Sequence, residues 1–146
     1  MKSLSILLVD DDKIERLKFQ KACKEINSNN VIFEAINGEA ALSLLDQENF
    51  SFDLIISDIN MPRMNGFEFL SALKANLKSK YIPVVIMSTS ENKEDLDKCY
   101  KLGISGYFSK PLKYSEYLKK VTSLLQYWDK ANLSSLWIIL VFLFKA

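Results

Sequence analysis

The sequence predicts an α/β fold: a five-stranded parallel sheet, doubly wound, with helices on both faces. Three observations carry this. Five short apolar runs alternate with five amphipathic stretches along 146 residues, and a crossover helix between strands returns the chain to the same edge of a parallel sheet. The runs at 4–9, 52–57 and 82–87 are nearly continuous in apolar residues, as strands covered on both faces are. The length suits one domain with a proper core.

The elements follow in order. Residues 4–9 (LSILLV) form a buried strand, followed by a helix that places Phe19, Ala22, Cys23 and Ile26 at i, i+3, i+4, i+7. Residues 31–35 (VIFEA) form a weaker strand nearer the sheet edge. A helix over 38–47 groups Ala40, Ala41, Leu44 and Leu45. The third strand is 52–57 (FDLIIS). The next helix starts near Gly66 and buries Leu70, Leu73 and Leu77. The fourth strand is 82–87, where Pro83 is tolerated in the first turn and not in the middle. A polar helix over 91–102 turns Leu96, Cys99 and Tyr100 inward, with Gly103 just past its end as a C-cap. Residues 106–109 (GYFS) form a short fifth strand. The last helix, 113–127, carries Tyr117, Leu118, Val121, Leu124 and Leu125 on one stripe.

Composition excludes several classes. Apolar content is 49%, charged content 25% and formal net charge +1, an ordinary globular balance with no electrostatic case for a nucleic acid partner. Cys23 and Cys99 fit no metal spacing and read as buried thiols of a reduced compartment. No secretory signal is read at the start, so the cytoplasm is the expected location. The chain contains no histidine. This removes a histidine general base, the Ser-His and Cys-His nucleophile pairs, and every histidine metal site. Any chemistry rests on carboxylates, hydroxyls and lysines.

Those residues gather where chemistry is expected. An open parallel sheet places its functional crevice at the carboxyl ends of the strands. Asp10, Asp11 and Asp12 follow the first strand and Asp58 the third. Ser88 and Thr89 follow the fourth, and Lys110 with Pro111 follows the fifth. Asp12 also reads as a helix N-cap. Carboxylates within about 4–6 Å raise one another's pKa values unless a cation joins them. An all-oxygen cluster without histidine suits Mg²⁺ better than zinc or copper. Such an ion would keep Asp58 ionised, with Lys110 as a second positive charge. Phosphoryl transfer asks mainly for alignment and charge neutralisation, and a carboxylate is a competent nucleophile for it.

The fragments LLVDDD, LIISDINMPRMNG, IPVVIMSTS and GYFSKP, in this order and spacing, resemble the receiver domain of two-component response regulators. The resemblance covers residues 3–125. It implies a flavodoxin-like sheet of order 2-1-3-4-5, and a receiver domain over 1–127 followed by an apolar C-terminal extension over 128–146. It also implies that Asp58 is the phosphoacceptor, and that Asp10, Asp11, Asp58 and the backbone carbonyl of Asn60 hold Mg²⁺. Lys110 and Ser88 then bind the phosphoryl group, and Tyr107 is the aromatic switch. A cis bond precedes Pro111. Gly66 serves a backbone requirement in the turn opening the third helix. Thr89 competes with Ser88 by a one-residue register shift, and Met61 and Met64 read as loop packing.

The implied partners are a sensor histidine kinase or phosphotransfer protein, which donates the phosphoryl group, and a downstream protein. The downstream contact is expected on the face built from the fourth and fifth strands and their helices. Inverting a 1:99 population takes about 5.5 kcal/mol of differential affinity, within reach of a new dianion held by a cation, a lysine and a hydroxyl. The chain is thus expected to be a signalling switch and not an enzyme.

Two other classes compete. One is a receiver-like scaffold, never phosphorylated, docked through its apolar tail. The other is an aspartate-nucleophile phosphohydrolase of the haloacid dehalogenase type, matched by Asp10-x-Asp12, but neither further acidic residues after a later strand nor a cap insertion is present. Residues 133–144 (LSSLWIILVFLF) fall short of the roughly 20 that span a bilayer. They are read as packing on this domain or on a second copy, as a partner or membrane-surface contact, or as a disordered tail or sequence artefact, with a membrane span not expected. Tyr127 and Trp128 resemble the aromatic ending of small stand-alone receivers that serve phytochrome-type kinases.

Overall fold

A computed structural model describes residues 3–134 together with Leu136 and Leu143. The expected tail packing over 133–144 falls largely outside the described residues. Strands β1 (Ser5–Val9), β2 (Val31–Ala35), β3 (Leu54–Ser57), β4 (Val84–Ser88) and β5 (Gly106–Ser109) alternate with helices α1 (Lys13–Glu25), α2 (Gly38–Asp46), α3 (Gly66–Ala75), α4 (Lys93–Lys101) and α5 (Tyr114–Lys130). All strand pairs are parallel, and the sheet order is β2-β1-β3-β4-β5. The expected fold is therefore observed, with the weakly apolar β2 at an edge.

The continuous apolar runs resolve into two alternating sets. Leu7, Val9, Ile55, Val84 and Ile86 join one core with residues of α2, α3 and α4, including Ala41, Phe69, Leu70, Leu73 and Cys99. Ile6, Leu8, Leu54, Ile56, Val85 and Met87 join the opposite core with Phe19, Ala22 and Cys23 of α1 and Tyr117, Val121, Leu124 and Leu125 of α5. Successive side chains of a strand point to opposite faces, so covering both faces demands apolar residues at every position. Both cysteines are buried free thiols, and burial pushes Cys23 up to about 12 and Cys99 up to about 11.

Two expectations on helix faces fail. Leu77 is exposed, because α3 stops at Ala75 and Asn76 turns to extended backbone before it. Tyr100 is also exposed. Cys99 alone fills the buried position of the short α4, and Tyr100 turns onto the outer surface. Helix α5 runs three residues beyond 127, and Trp128 and Leu133 pack against the α1–α5 core. Gly103 takes positive φ just past the α4 C-cap, as its placement predicts.

Helix α3 is aimed by its start. Asn65 accepts from the Glu68 backbone N–H at 2.9 Å, while Glu68 accepts from the Asn65 N–H at 3.3 Å, a reciprocal capping box. Asn65→Ala is expected to lower stability by about 1 kcal/mol, read as a urea midpoint shift without change in the slope.

Candidate functional site

Strand register builds the site. Val9 pairs with Ser57, so the next residues, Asp10 and Asp58, leave the sheet side by side. Ser88 pairs with Ser109, and the Lys110 N–H donates to the Ser88 carbonyl at 2.8 Å. The backbone thus delivers Lys110 to the same edge. Asp10, Asp11 and Asp58 each offer a carboxylate oxygen, all within 4.8 Å of one another. Asp10 is buried, Asp58 half-buried and Asp11 exposed.

Lys110 lies among the acids, its side chain only 7% exposed. Its Nζ donates to Asp10 Oδ2 at 2.8 Å and sits 3.9 Å from Asp58 Oδ2. Asp10 Oδ1 accepts from the Asp12 N–H at 3.0 Å, and the Arg16 guanidinium donates to the Asp10 carbonyl at 2.8 Å. Asp58 Oδ1 accepts from the Ile59 N–H at 2.8 Å. These bonds fix both carboxylates before any ligand arrives.

Burial raises the Asp58 pKa above its ordinary value. Lys110 opposes that, Asp10 adds to it, and the Ile59 N–H and Ser88 hydroxyl pull it down. Burial also works to lower the Lys110 pKa, but Asp58, Asp10 and Glu15 outweigh it and the ammonium is held more firmly protonated. One ammonium therefore does not neutralise the cluster. Asp10, Asp11 and Asp58 together fit a divalent cation, since an added positive charge relieves the repulsion that remains.

Ser88 is completely buried, and its Oγ accepts from the Ser90 N–H at 3.1 Å. Thr89, the residue after it, is exposed. Tyr107 is half-buried, and its hydroxyl donates to the Ser90 carbonyl at 2.9 Å. Ser90 Oγ donates to Asp95 Oδ2 of α4 at 2.7 Å. Asn60 is exposed two residues past Asp58. The peptide bond before Pro111 is trans, which corrects the expected cis bond. The direction of Lys110 is set by its own N–H on Ser88 and its Nζ on Asp10.

Gly66 does sit at a backbone requirement, but one of space and not of φ. A Cβ there would lie 2.5 Å from the Asp58 carbonyl oxygen and 2.7 Å from Ile59 Cα. Asp12 accepts from the Ile14 N–H as the α1 cap. Met61 is buried in the core, and Met64 packs against Gly38. Three residues were not singled out in the sequence as part of the site: Glu15, Arg16 and Ser57, whose hydroxyl donates to the Asp58 carbonyl at 2.9 Å. Glu15 and Arg16 lie on the first turn of α1, and no local spacing marks them as neighbours of Lys110.

A sequence model of the response regulator receiver domain matches residues 6–122. The chain is 38% identical over 125 residues to a probable transcriptional regulator, ycf29, of Pyropia yezoensis, covering 84% of this chain and 54% of that protein. The chain thus spans about half the length of that relative. It is 30% identical over 128 residues to the response regulator Rcp1 of Synechocystis, covering 84% and 87%. The Mn²⁺-bound form of Rcp1 superposes with TM-score 0.82 at 29% identity, over 90% of this chain and 99% of that one. The phosphorylated cyanobacterial phytochrome response regulator RcpA superposes with TM-score 0.86 at 29% identity, over 92% of this chain and all of its own.

Proposed function

Because the chain belongs to the response regulator receiver domain family, we propose that Asp58 accepts a phosphoryl group, with Mg²⁺ as cofactor, from a phosphohistidine of a sensor kinase or phosphotransfer protein. The observation that carries this reading is the close set of Asp10, Asp11 and Asp58, with the Lys110 ammonium paired to Asp10 and 3.9 Å from Asp58. A carboxylate oxygen of Asp58 forms the new O–P bond as the donor's N–P bond breaks, and the electron pair leaves with the donor imidazole. A divalent cation held by Asp10, Asp11, Asp58 and the Asn60 carbonyl would supply positive charge to the phosphoryl oxygens. Lys110 contributes a second positive charge at the nucleophile. The Ile59 N–H keeps the Asp58 carboxylate oriented.

The switch follows from the Ser90 bonds. Ser88 turned toward a phosphoryl oxygen withdraws its Oγ from the Ser90 N–H. Ser90 also holds the Tyr107 hydroxyl and Asp95 of α4, so its displacement reaches β5 and α4 together. The face affected includes an open groove of about 380 Å³ lined by Tyr100, Tyr107, Phe108, Tyr127 and Trp128 among others, where a downstream protein docks. Among the described residues no helix is long and apolar enough to cross a membrane. Residues 1–127 act as the receiver unit in this reading.

Incubation with Mg²⁺ and acetyl phosphate is expected to add one phosphoryl group by intact mass, and none once EDTA removes the metal. Unchanged modification under EDTA sinks the metal-assisted reading. Modification lost in Asp10→Asn and kept in Asp58→Asn favours the hydrolase alternative.

A further inference from the structure

We propose that Glu15 is a positioning residue for this site: it shares the Lys110 ammonium with Asp10 in the resting protein and draws it away from the phosphoacceptor. The inference rests on the reading of Asp58 above. In the sequence Glu15 is an ordinary first-turn acid on α1, the place where carboxylates complement the helix dipole. The structure gives it a second task. Its Oε2 is buried, has no hydrogen-bond partner among the described residues, and lies 3.5 Å from Lys110 Nζ.

Lys110 thus faces three carboxylates, with Asp10 at 2.8 Å, Glu15 at 3.5 Å and Asp58 at 3.9 Å. The nucleophile is the most distant of them. Glu15, Asp10, Asp58 and Lys110 also line one cavity of about 10 Å³, floored by Phe19 and Tyr117. That space is about the size of one water, so little solvent separates these charges. To grip a phosphoryl group on Asp58 the ammonium must shift toward it, and the attraction of Glu15 opposes the shift. A group that favours the resting position lowers affinity for whatever needs the other one.

Glu15→Gln keeps the shape and removes the charge. With Mg²⁺ and acetyl phosphate, phosphoryl uptake by the variant is expected to be roughly threefold faster than wild type, the size of a partly screened ion pair. The effect should vanish in a Lys110→Ala background. A second readout needs neither metal nor phosphodonor. The urea midpoint shifts of Glu15→Gln and Lys110→Ala should fail to add in the double variant, as contacting residues do. Unchanged uptake in Glu15→Gln overturns the proposal. So does an equal acceleration in both backgrounds, which marks simple repulsion of the incoming anion, and so do additive midpoint shifts. A wild-type chain that takes up no phosphoryl group instead fails the phosphoacceptor reading.

Discussion

Replacing Asp58 by asparagine is expected to abolish phosphoryl uptake from acetyl phosphate, with no mass gain where the wild type gains one group. The amide keeps the size of the side chain and its bond from the Ile59 N–H, so the fold is retained. It lacks the anionic oxygen that the proposed transfer requires and offers a poorer ligand to a cation. The same substitution should stabilise the metal-free protein at neutral pH. Burial raises the Asp58 pKa above its ordinary 3.8, so between 3.8 and the folded value the folded state holds a proton that the unfolded chain releases, and above that value the folded state carries the cost of the buried charge. Stability of the wild type therefore falls as pH rises from 3.8 through the folded value. The asparagine variant has no such loss. Its advantage should grow as pH rises above 3.8 and disappear below it, where both states of the wild type carry the proton. Adding Mg²⁺ should reverse the order, because a ligand that binds the folded wild type stabilises that state by mass action. Urea unfolding at pH 7 and pH 3, with and without Mg²⁺, measures all four points. Equal stability of the two proteins at pH 7 without metal would refute the electrostatic account of the site.

Gly66→Ala should cost about 3 kcal/mol, at the upper end of the range for forcing a methyl group into packed space. The added Cβ meets main chain on every close side: the Asp58 carbonyl oxygen at 2.5 Å, Ile59 Cα at 2.7 Å and the Asp58 carbonyl carbon at 3.2 Å. None of these is the free end of a flexible side chain. The Gly66 N–H also donates to the Ile59 carbonyl at 2.7 Å, which holds the start of α3 against the Asp58–Ile59 segment. Relief of the clash must move Asp58 or α3. Phosphoryl uptake should therefore fall along with the urea midpoint. Asn65→Ala, at the same helix start, should lower the midpoint while leaving uptake near the wild-type rate. A Gly66→Ala protein with full stability would show that the loop and helix separate more freely than their packing allows.

Much of this molecule was legible in the chain itself. The strands β1–β5, the helices α1–α5 and their parallel sheet followed from apolar runs and their spacing, because a strand covered on both faces leaves an unbroken signature. Asp10, Asp11, Asp58, Ser88 and Lys110 stood out because strand ends in such a sheet share one edge. Helix faces were less secure. Tyr100 and Leu77 have the right periodicity, yet short helices end or turn before those residues reach the core. Periodicity records which residues share a face, and only the neighbours decide how wide the buried face is.

Distances around the charges were beyond the sequence altogether. Ninety-five positions separate Glu15 from Lys110, and nothing local says that the glutamate turns inward to within 3.5 Å of the ammonium. Gly66 could be marked as a backbone requirement, but not as a contact with the nucleophile's carbonyl. Local chemistry set the elements and the residue types at the sheet edge. Strand register and the packing of α1, α3 and β5 on that edge set which charges meet, since electrostatic and steric energies depend on separations that only the assembled chain defines.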